Sequence, residues 1–136
     1  MNAKSIGYWT ATGILAFAFL SGGMAYLAHI EATVAGVVLL GYPPYFVTIL
    51  GFWKLLGGIV LVVPGLPRVK EWAYAGMFFD VTSAAVSHVT MADYGAFAFH
   101  VVVNVFFAVL VVVSWALRPP NRALGVLPPA KLASGA

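Results

Sequence analysis

Along the chain, long apolar runs alternate with short polar breaks, and the runs set the first expectation. Residues 6–27 form one run after a short polar start with a single cation, Lys4. A second run covers 45–63, a third 71–89 and a fourth 96–117. About 20 apolar residues in helical rise cross the hydrocarbon of a bilayer, so each run is near spanning length. The breaks carry the residues that end helices. His29 to Pro44 ends in Tyr42-Pro43-Pro44, and Pro64-Gly65-Leu66-Pro67 separates the second run from the third. A turn is expected at 91–95, and Arg118-Pro119-Pro120 closes the fourth run. The pattern predicts an all-α protein, an integral membrane four-helix bundle. Residues 1–118 are expected to form the four-span domain, and 119–136 a flexible cytoplasmic tail. The apolar stretch Ala32–Leu40 is too short to span, so it is expected to lie in the interface or extend a helix end.

Composition strengthens this picture. Of the 136 residues 62% are hydrophobic and only 8% are charged. A soluble domain carries about 25% charged residues, so this chain could not clothe a water-facing surface. The absence of cysteine excludes disulfides, thiolate metal sites and a cysteine nucleophile. A signal peptide is the competing reading of the first run. The run is long for that, and Tyr8, Trp9, Tyr26 and His29 bracket it like an interfacial belt. Ser21-Gly22-Gly23 within it reads as a close-packing or kink point.

The charge balance is basic, but no basic patch with interleaved aromatics suggests nucleic acid. The distribution of charge explains the excess. Four spans place both termini on one side, with Lys4, Arg68, Lys70, Arg118, Arg122 and Lys131. The other side holds no Lys or Arg, and the remaining cation, Lys54, falls inside the second run. By the positive-inside rule both termini are expected to be cytoplasmic.

Two charges inside the runs are the first candidate chemistry. Lys54 lies nine residues before Val63, and Asp80 lies nine after Glu71. Two antiparallel helices joined by the intervening turn would bring them to the same depth. An unpaired charge at mid-membrane costs about 2.5–3.5 kcal/mol even on a lenient insertion scale, so pairing is expected. One reading is an ion pair that fixes helix register, and the other is a proton or substrate site. Gly51 and Gly58 flank Lys54, and Gly76 and Ala84 flank Asp80, at spacings that would let these two helices approach closely.

Asp80, Ser87 and His88 share one stripe of the third run, and His100 and Asn104 one face of the fourth. Polar groups within a span face the bundle interior, so these five are expected to line one cavity in its outward half. Glu31, His29, Tyr42 and Tyr45 would stand at its mouth. Asp80, Lys54 and His88 are the candidate catalytic centre. Tyr42, Tyr45, Glu31, Ser87, His100 and Asn104 are the candidate binding residues. His88 and His100 bring no third ligand at diagnostic spacing, so no metal site is assigned and haem is disfavoured. No phosphate loop, dinucleotide fingerprint or nucleophile motif is present.

The central stretch resembles a known family. Gly41-Tyr42-Pro43, Tyr45-Phe46, Leu50-Gly51, Lys54-Leu55-Leu56-Gly57, Pro64, Lys70-Glu71-Trp72-Ala73-Tyr74-Ala75-Gly76, Asp80 and Ser87-His88 look like the signature of the DoxX-like proteins, small four-span membrane proteins of bacteria. The resemblance covers about Tyr8 to Leu117. It implies location in the bacterial inner membrane and a redox-associated or quinone-linked accessory role. It admits a quinone as cofactor and a membrane redox partner. The alternative is a small membrane enzyme, working by acid–base chemistry like an isomerase, or a carrier of a lipophilic small molecule. A homodimer or heteromeric complex is a further expectation, because four short spans make a thin bundle.

Overall fold

The computed structural model describes residues 1–91 and 97–125, the side chain of Phe97 excepted. Its described residues are all helical or connecting. The helices are α1 (Ala3–Leu27), α2 (Glu31–Leu39), α3 (Phe46–Val62), α4 (Pro67–Met91) and α5 (Phe97–Ala116), followed by a 3-10 turn at Pro120–Arg122. α1, α3, α4 and α5 form a four-helix bundle, with α2 as a short helix between the first two. By length and composition α1 and residues 98–116 of α5 can each cross a membrane, and α3 is a shorter apolar helix of 17 residues. Arg68, Lys70, Glu71 and Asp80 make α4 less apolar than its neighbours. The protein is a helical membrane bundle.

Local chemistry sets the ends. The Asn2 side chain caps α1 by accepting from the Ser5 amide at 2.9 Å. Between α3 and α4 the chain turns through Gly65 at φ 78° and Leu66 at φ 55°. Pro67 then opens α4, because proline suits the first helical position, where its missing N–H costs nothing. α4 therefore starts a full turn before the expected Glu71. The expected turn at 91–95 lies, from residue 92 on, outside the described residues, as does 126–136 of the tail.

The pairing of helices differs from the expectation drawn from the small residues. α3 packs mainly on α1, and α4 on α5. A Cβ on Gly23 would stand 2.7 Å from the Leu55 backbone nitrogen, and one on Gly51 would meet Tyr26 Cβ at 2.8 Å. The glycines thus press α3 against α1 at backbone contact distance. Beside Gly76, a Cβ would find nothing within 4 Å. α3 and α4 share a tight turn and touch at Gly57, where a Cβ would stand 3.3 Å from Met77 Cε, but they pack on each other less than on α1 and α5. Spacing reveals which face of a helix is small, and the packed structure decides what that face meets.

The core gathers Leu15, Phe19, Leu61, Tyr74, Met77 and Val111 from four helices. A buried hydroxyl cluster runs through it. Ser114 Oγ lies 2.7 Å from Thr12 Oγ1 and 2.8 Å from the Tyr74 hydroxyl, tying α1, α4 and α5 together.

The described cations other than Lys54 (Lys4, Arg68, Lys70, Arg118 and Arg122) sit at one end of the bundle, which we term the basic end. Two of them close the C-terminus of α3. Lys70 Nζ is fully buried and donates to the Val60 and Val63 carbonyls. Arg122 donates to the Leu61 and Val62 carbonyls, at 3.2 Å each. Those four carbonyls are the ones a helix leaves without internal partners, and cations suit the negative end of its dipole. Where sequence reading begins a flexible tail at 119, the chain through Arg122 folds back on α3, and Arg122 also stacks over Trp9. Arg118 forms an ion pair with Glu71 at 2.5 Å.

Candidate functional site

Between α3 and α4 lies a cavity of about 910 Å³, and its wall is mostly apolar. Lys54 from α3 and Asp80 from α4 meet across it, with Nζ 2.5 Å from Oδ2. Their side chains are 19% and 20% exposed, so the pair is shielded from bulk solvent but reached from the cavity. A short turn joins the two antiparallel helices and returns Asp80 to the depth of Lys54.

α1 completes the surroundings of the pair. Lys54 Nζ sits 4.7 Å from the centre of the Phe19 ring and 5.6 Å from that of Tyr26. Both rings line the cavity and present electron-rich surface to the ammonium. Sequence reading put Tyr26 in an interfacial belt and did not single out Phe19. The signal was available: Phe19, Gly23 and Tyr26 stand at helical offsets of four and seven, one stripe of α1. Gly23 brings that stripe against α3 beside Lys54.

Away from the basic end, the wall becomes polar. Ser87 Oγ donates to the Ser83 carbonyl at 2.9 Å. Its single proton is thereby used, so the Tyr42 hydroxyl, 2.7 Å away, is the donor between the two. Tyr42 is held flat against Phe46, ring centres 4.9 Å apart. His88 and Asn104 complete this end of the lining, with Asn104 Nδ2 donating to the His100 carbonyl at 2.8 Å. The His100 ring stacks on His88 at 4.4 Å, behind the cavity wall.

The structure thus brings Lys54, Asp80, Tyr42, Ser87, His88 and Asn104 around one space. His100 supports His88 without lining that space. Three residues expected at the mouth lie outside the lining. His29 is bound through Nε2 to Thr48 Oγ1 at 2.8 Å, and Glu31 and Tyr45 are exposed. Glu31 opens α2, and Tyr45 immediately precedes α3. No group of three or more His, Cys, Asp or Glu side chains that could hold a metal ion occurs among the described residues.

Chemically, the arrangement offers a hydrogen-bonding and charged centre inside an apolar slot. The pair supplies an ammonium donor and a carboxylate acceptor side by side. That combination suits a molecule that is lipophilic overall and carries an oxygen function.

The model of the DoxX-like family matches residues 10–114. No curated protein and no solved structure shows a match to the chain.

Proposed function

This chain belongs to the DoxX-like family of membrane proteins, and from that premise we propose that it binds a lipophilic small molecule of the quinone type and serves as a redox-associated accessory subunit. The observation that carries the reading is the Lys54–Asp80 pair set in the wall of an apolar cavity of about 910 Å³. Ligand sites are typically clefts of about 300–1,000 Å³, apolar in lining, with a few polar groups that orient the occupant. Lys54 donates to a ring or carbonyl oxygen, and Asp80 holds Lys54 in place and accepts from a hydroxyl. The same two groups serve both a quinone and its reduced form, since one offers a proton and the other receives one. Tyr42, Ser87 and His88 extend the polar wall away from the basic end.

Four spans with both termini and the α3–α4 turn on the cytoplasmic face of a bacterial inner membrane are part of this proposal. The clustering of the described cations at one end supports that orientation. The experiment is a calorimetric titration of the detergent-purified protein with a quinone, together with mass spectrometry of the lipids that co-purify. Binding is expected to wild type and not to the Lys54→Met/Asp80→Asn double variant, which removes both charges without stranding either. Equal binding to both proteins, or none to wild type, refutes the proposal.

A further inference from the structure

The cavity is a slot, not a sphere. Its residues on α4 run as one stripe from Arg68 to His88, a rise of about 30 Å at 1.5 Å per residue. The charged pair lies part-way along and divides the slot into unlike halves. Toward His88 the wall is polar. Toward Arg68 it is apolar for about 18 Å by the same rise, walled by Val60, Val69, Trp72, Ala73, Gly76 and Met77. This half is also open at the side: Trp72 is 82% exposed and Leu56 on the facing helix 39%. In a bilayer those exposed side chains face lipid. Arg68 at the end of the stripe marks the depth of the headgroups.

Resting on the reading of the pair as a ligand-binding centre, we infer that the apolar half-slot holds a hydrocarbon chain of the ligand, so that the ligand class is a tailed lipophile. The polar head meets Lys54 and Asp80. The chain lies along α4 toward the basic end and passes between Leu56 and Trp72 into the membrane. A compact head alone would leave this half of the slot without an occupant of matching polarity, and a flexible chain matches both its length and its apolar wall. The side opening gives such a molecule a route in from the leaflet at the basic end without crossing water. Gly76 keeps the channel wide, because it stands one turn from Asp80 on the same stripe and its missing side chain would point into open space.

Two substitutions test this. Gly76→Leu places a side chain in the channel at a position where an added Cβ meets nothing within 4 Å, and Ala73→Leu does so nearly one turn nearer Arg68. Each is purified in detergent beside wild type, checked for unchanged thermal unfolding, and titrated with two probes. One is a benzoquinone bearing a long prenyl chain, and the other is the same ring with only small substituents. Wild type is expected to bind the prenylated quinone more tightly than the bare ring. Gly76→Leu or Ala73→Leu, whichever keeps wild-type unfolding, is expected to weaken the prenylated form by about tenfold, or 1.4 kcal/mol, and leave the bare ring unchanged. If the filled channel weakens both probes alike or neither, the inference fails while the head-group site stands; a phospholipid acyl chain seated permanently in the slot would give that result. If neither probe binds wild type, the head-group reading fails and this inference with it.

Discussion

Neutralising one member of the Lys54–Asp80 pair leaves the other charge in an apolar wall, and the cost follows from the pair's surroundings. Two unit charges about 4 Å apart attract by about 4 kcal/mol at an effective dielectric of 20. Breaking a fully buried pair costs about 3–5 kcal/mol, and an exposed pair contributes about 1 kcal/mol or less. With a fifth of each side chain exposed to the cavity, the surviving charge retains some hydration, so the buried figure must be discounted. Asp80→Asn and Lys54→Met should therefore each destabilise the bundle by about 2–3 kcal/mol. For Asp80→Asn the Phe19 and Tyr26 rings still face the ammonium and hold part of that loss back. In the double variant neither charge is stranded, so the combined loss should fall short of the sum by about 2 kcal/mol, within the range measured for contacting residues. Reversible unfolding of all four proteins in mixed micelles gives the complete cycle. Losses that add to within about 0.5 kcal/mol would show that the two groups act independently. The 2.5 Å contact would then have no energetic consequence, and the assignment of the pair as the centre of the site would be wrong.

The α1–α3 seam makes a paired prediction. Gly23→Ala puts a methyl 2.7 Å from a backbone nitrogen that cannot yield, and should destabilise by about 1–3 kcal/mol, whereas Gly22→Ala, with nothing within 4 Å, should be neutral or slightly stabilising in the same unfolding assay. Orientation is checked by cysteine labelling, which is clean because the native chain has no cysteine. Tyr45→Cys, exposed at the end away from the cations, should react with an impermeant maleimide only from the periplasmic side, and Arg68→Cys only from the cytoplasmic side. The reverse pattern would overturn the topology.

What the sequence by itself determined was whatever depends on hydropathy and distance along the chain. Runs of spanning length separated by proline and glycine specify helices crossing an apolar medium, since backbone polar groups there must be satisfied within each segment. The contact between Lys54 and Asp80 was legible for a related reason: two opposite charges near the middle of neighbouring apolar runs cost least when they pair, and they meet although α4 starts a turn earlier than the spacing assumed. The apolar stretch expected to be too short to span falls in the separate nine-residue helix α2. Tertiary structure decided which faces met. Gly51 and Gly58 lie near Lys54 in sequence, but they are packed on α1, and that choice leaves α3 and α4 less closely packed on each other, with the slot between them. The entry of Phe19 and Tyr26 into the site follows from the same seam. Ser114 stands 102 positions from Thr12 and 40 from Tyr74, and a lone hydroxyl in an apolar run carries no signal of its partner. Lys70 and Arg122 read as members of a cationic flank, and the fold uses them to close the end of α3. Periodicity states which side of a helix is apolar, small or polar. Only packing, which weighs all the faces against one another at once, chooses the neighbour for each side.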